Sequence, residues 1–111
     1  MTKQIIDPSV FAELSDTMGE DFATELVSTF LDEAPLMFRA LEDAATQADA
    51  DAFRRAAHSL KSNAEVFGAG QLAQMARALE MGGLPDDASS LTGLRTSLAE
   101  TTDALGKLIH V

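Results

Sequence analysis

The chain has 111 residues, 18 acidic and 8 basic, and a formal net charge of −10. That length supports one domain with a single modest core, and the acidity argues against nucleic acid, where phosphate contacts dominate affinity. Cysteine is absent, which excludes disulfides, thiolate metal sites and cysteine nucleophiles. No apolar run approaches the ~20 residues that span a membrane, and none at the N-terminus resembles a signal peptide. A soluble, cytoplasmic protein without a membrane partner is expected. Many Leu and Ala, six Phe and no Trp or Tyr favour helix packing and an all-α fold.

In chain order, residues 1–6 read as a loose arm. Asp7-Pro8 then offers an N-cap and a proline at the first helical position. Val10, Phe11 and Leu14 form a short apolar stripe, and Gly19 ends this first helix. A second helix is expected from about Glu20 to Thr46, with Glu20 and Asp21 suited to its N-terminus by the helix dipole. Phe22, Leu26, Phe30, Ala34, Met37 and Leu41 make one stripe, and Val27, Leu31 and Phe38 widen it. Pro35 predicts a kink or a break. Apolar residues on more than one face point to deep packing or to a docking surface; in the second case its rim should lie beside the histidine described below. Asp49 to Asp51 caps the third helix, which Gly68 ends. Gly70 opens a fourth, with Leu72, Met75, Ala76 and Leu79 inward. Gly82-Gly83-Leu84-Pro85 breaks the chain, and Asp86 and Asp87 start a final helix through about Ile109, with Leu91, Leu94, Leu98, Leu105 and Leu108 inward. The predicted architecture is all-α: an antiparallel four-helix bundle with an additional short N-terminal helix, one domain over residues 1–111.

The third helix carries the chemistry. Phe53, Ala56, Ala57, Leu60, Ala64 and Phe67 recur at three- and four-residue spacing, the apolar face of an amphipathic helix. At about 100° per residue, His58 lies roughly 150° from that face and should point to solvent. Arg54, Arg55, Lys61 and Ser62 are its helical neighbours, so three of the eight basic residues surround one imidazole in an acidic protein. Ser62 is small and leaves the ring approachable, because helical side chains lean toward the N-terminus. A partly neutral imidazole can act as a nucleophile, and basic neighbours suit a phosphoryl electrophile. The competing reading is a solvent-exposed histidine on a helix that happens to carry Arg and Lys.

His58-Ser59-Leu60-Lys61-Ser62, followed by Phe67-Gly68-Ala69, Leu72 and Leu79-Glu80, resembles the signature of histidine-containing phosphotransfer (HPt) domains. Every spacing from His58 to Glu80 matches without a gap; the departure is Ser62, where the family most often has Gly. The resemblance implies that His58 takes a phosphoryl group from one receiver-domain aspartate and passes it to another. Lys61 would stabilise the phosphoryl group, Arg54 and Arg55 would assist or steer the receiver, and Gly68 would be structural. The implied partners are receiver domains of response regulators and hybrid histidine kinases, with Mg²⁺ on the receiver and no cofactor on this chain.

No P-loop, kinase-like phosphate loop or carboxylate cluster for Mg²⁺ accompanies His58, so phosphorylation from ATP is not expected, and whether the carrier counts as an enzyme stays open. A second histidine, His110, lies at the C-terminus with no patterned carboxylate between the two, which argues against a metal site. Two other classes compete: a docking module that binds a receiver or another partner without carrying phosphate, and the dimerisation domain of a histidine kinase. The latter usually has a proline soon after its histidine, whereas none follows His58 before Pro85, and one chain already supplies four bundle helices. A monomer is therefore expected. The start at Met1 and the self-contained helix set favour a free-standing protein.

Overall fold

The computed structural model describes residues 5–86 and 91–109. Five helices follow one another: α1 (Pro8–Met18), α2 (Glu20–Thr46), α3 (Ala50–Val66), α4 (Gly70–Gly82) and α5 (Thr92–Leu108). No strand occurs among the described residues. α2 packs on α3, α3 on α4, α4 on α5 and α5 back on α2, with α1 laid against α2. The fold is thus all-helical, with a closed ring of packing.

Helix starts follow local chemistry. Asp7 Oδ1 accepts the Ser9 backbone N–H at 3.0 Å, capping α1 ahead of Pro8, and Asp49 Oδ1 accepts that of Ala52 at 3.0 Å, capping α3. Each bond satisfies an N–H that the helix itself leaves unpaired. The core of the ring holds Val27, Leu41, Phe53, Leu60, Leu72, Leu94 and Leu105, all fully buried. The Phe30 and Phe67 rings meet with centroids 5.3 Å apart and tie α2 to the end of α3.

Four expectations need correction. The arm is not loose throughout, for Ile6 is buried and Ile5 half-buried. Of the kink or break expected at Pro35, the break does not occur, for α2 is continuous through it; the proline lies on the exposed side, where water can satisfy the carbonyl that loses its donor. The buried face of α2 is Ala23, Val27, Phe30, Ala34, Phe38, Leu41 and Ala44, while Phe22 is exposed. Two apolar stripes offset by one residue share Phe30, Ala34 and Leu41, and packing between α3 and α5 selects the one with Val27 and Phe38. Finally, α5 begins at Thr92, not at the aspartates. Asp86 lies in a bend before it, and the sequence between Asp86 and Leu91 holds only Asp, Ala and Ser, with no bulky apolar side chain. Asp87 and His110 fall outside the described residues.

Gly68 positions α1. Its φ of +68° puts it in the left-handed region, and an added Cβ would lie 2.8 Å from Val10 Cγ2 and 3.0 Å from Asp7 Cβ. Its carbonyl accepts the Asp7 N–H at 3.1 Å. Glycine is therefore required twice, for conformation and for the close approach of α1. Gly68→Ala is expected to lower stability by about 1–3 kcal/mol, read as a lower urea midpoint. A midpoint equal to wild type would show that the α1 junction adapts without strain.

Candidate functional site

His58 sits on the outer face of α3 with its side chain 57% exposed, as its helical phase requires. Its ring is held from the neighbouring helix: Nδ1 lies 2.7 Å from Oε2 of Glu80 on α4. The other carboxylate oxygen, Oε1, accepts from the Lys61 ammonium at 2.9 Å. Glu80 thus bridges the imidazole and the lysine. It is the least exposed of the three at 17%, because Leu72 and Ala76 on the same helix are buried in the core and hold α4 tightly against α3.

The carboxyl of Glu80 is held below its ordinary pKa, chiefly by the Lys61 hydrogen bond; burial opposes the shift and the His58 hydrogen bond adds to it. An ionised carboxylate only accepts hydrogen bonds, so the proton of a neutral His58 belongs on Nδ1. Nε2 then carries the lone pair, and it has no hydrogen-bond partner among the described residues. The hydrogen bond to Glu80 thus favours one tautomer of the neutral ring, on a side chain that is more than half exposed.

The remaining candidates divide. Ser62 is exposed one turn beyond His58 and adds no bulk beside the ring. Arg54 and Arg55 are engaged elsewhere: both pair with Asp51, at 2.8 and 3.3 Å. Asp51 carries a lowered pKa, with the Arg54 hydrogen bond as the largest cause. Gly68 lies at the α3–α4 turn, away from the imidazole. Reading α3 by itself gave Glu80 no role, although it closes the motif. The signal was present: His58 and Glu80 stand equally far in sequence from Ala69, about which the α3–α4 hairpin turns, so an antiparallel pair brings them face to face. No group of three or more His, Asp and Glu side chains converges as a metal site among the described residues. No described helix is long and apolar enough to cross a membrane.

A helical bundle whose described residues present a solvent-facing imidazole, oriented by a carboxylate of the neighbouring helix, has the form of a phosphotransfer module. The Hpt domain family matches residues 25–104, and the chain belongs to that family. Among solved structures it is similar to histidine-containing phosphotransfer protein B (HptB) from Pseudomonas aeruginosa PAO1. The TM-score is 0.89 at 26% identity, covering 98% of this chain and 97% of that one. The comparison with curated proteins gave no match.

Proposed function

We propose that the chain is a phosphorelay carrier in which His58 shuttles a phosphoryl group between receiver-domain aspartates. The observation that carries this reading is the hydrogen bond between Glu80 and Nδ1 of His58, which leaves Nε2 as the ring nitrogen without a partner among the described residues. The Nε2 lone pair attacks the phosphorus of a receiver aspartyl phosphate. The bond from phosphorus to the aspartate oxygen breaks, and the carboxylate leaves with its electron pair. The ring now holds phosphorus on Nε2 and its original proton on Nδ1, a cation whose counter-charge is Glu80. No proton has to enter or leave, so the second transfer reverses the first on a new aspartate.

Lys61 keeps Glu80 ionised in the resting state and neutralises phosphoryl oxygens once the group has arrived. Arg54 and Arg55, tied to Asp51 one turn toward the start of α3, steer the acidic face of the receiver rather than touch the phosphoryl group. Ser62 leaves room for the approach. Mg²⁺ belongs to the receiver. The partners are receivers of response regulators and hybrid histidine kinases. They meet a face that carries exposed Met18, Phe22 and Val66; Val66 stands about 12 Å along α3 from His58 at 1.5 Å per residue. The working unit is one domain over residues 1–111, an antiparallel four-helix bundle with α1 across it. It acts as a cytoplasmic monomer. The closed packing of α2 through α5 supports that bundle.

Incubation with Mg²⁺ and a panel of phosphorylated receivers should transfer acid-labile, base-stable label to the chain. Binding of a receiver without label would move the reading to a docking module. Lys61→Ala should slow transfer by about tenfold without eliminating it and should change the lifetime of the phosphohistidine. If rate and lifetime both match wild type, Lys61 has no part in the chemistry.

A further inference from the structure

The seam opposite the His58 site has features that phosphoryl transfer does not use. In the ring of helices, His58 and Glu80 lie at the α3–α4 seam, and across the bundle α2 meets α5. There a groove of about 340 Å³ runs between the two helices. Ala34, Phe38 and Leu98 give it an apolar floor, and Arg39, Arg95 and Glu42 border it. The Arg95 guanidinium lies over the Phe38 ring, 5.7 Å from its centroid, which holds the charge at the groove edge.

The arginines are the informative part. Arg54, Arg55, Lys61 and Lys107 all pair with carboxylates. Arg39, Arg77 and Arg95 form no ion pair among the described residues, although the chain has 18 acidic side chains; Arg39 and Arg95 both border this groove, beside Glu42. Two unpaired guanidinium groups flank one apolar channel. We propose that this groove docks an acidic amphipathic helix of a partner protein, on the face opposite His58, so that the partner can stay bound while phosphoryl groups pass. An added helix fits the seam of two packed helices by laying its apolar stripe along the channel, and its flanking Glu or Asp side chains meet Arg39 and Arg95. The net charge of −10 does not forbid this, because screening at ~8 Å under physiological salt lets the local arginines dominate.

The test is a selection from a phage-displayed library of helical peptides against the intact chain, with counter-selection against Arg39→Glu/Arg95→Glu. Enrichment of sequences with Leu or Phe at helical spacing between Glu and Asp is expected. Labelled peptides made from them should bind about tenfold more weakly to the double variant, more weakly in raised salt, and without slowing transfer to His58. Arg39→Gln/Arg95→Gln serves if the charge reversal does not fold, and a smaller loss is expected. Enriched sequences that are basic or neutral, or that bind both variants as tightly as wild type, would overturn the proposal. So would sedimentation showing a dimer that the double variant dissolves, since the groove would then be an interface between copies. A failed phosphotransfer assay would leave this result untouched, because peptide binding is read separately.

Discussion

Replacing His58 with Ala is expected to give a folded protein that accepts no phosphoryl group from any receiver. The imidazole is the nucleophile in the proposed mechanism, so label should fall to background. The side chain is more than half exposed and contributes no core contact, so stability should change by less than about 1 kcal/mol. Circular dichroism and a urea titration beside the transfer assay separate the two effects. A variant that unfolds would mean that the ring carries packing which its exposure does not suggest. Label that persists would assign the chemistry to another side chain.

Glu80→Gln should produce the second largest loss. Gln is nearly isosteric and can still accept from Nδ1, but it carries no charge to balance the phosphorylated, Nδ1-protonated ring, and its amide can donate to the wrong tautomer. Both directions of transfer should slow by about 10- to 100-fold, with the fall in kcat and little change in KM for the receiver. Nitrogen-15 spectra should show the proton of neutral His58 on Nδ1 in wild type and a mixture of tautomers in the variant. A single unchanged tautomer would remove Glu80 from the mechanism. The same carboxylate links stability to pH. Its folded pKa lies below the ordinary 4.5, so the folded state binds its proton less tightly than the unfolded chain does. The stabilisation is therefore complete above about pH 4.5 and is lost as pH falls through the lower folded value. The difference in urea midpoint between wild type and Glu80→Gln should be constant near neutrality and shrink in acid.

Much of this was legible in the residues. Asp7, Asp49, Gly19, Gly68 and Gly83 mark helix ends because capping and left-handed backbone are local demands, met by a few residue types. The apolar spacing of α3 turned His58 outward without reference to any other helix. What escaped was relational. The register of α2 depended on which of two overlapping stripes its neighbours would bury, and that choice left Phe22 exposed. Arg54 and Arg55 share a face with His58 in projection, yet Asp51 lies on the same face and pairs with both. Glu80 matters only once α3 and α4 are folded against each other, so a helix-by-helix reading undervalues it.

The three side chains of the proposed phosphoryl site, His58, Lys61 and Glu80, all come from one hairpin whose two helices pack on each other more extensively than any other described pair. That origin makes the alignment of the site a property of one helix pairing: a change that loosens α4 from α3 would part Glu80 from His58 and from Lys61 at once.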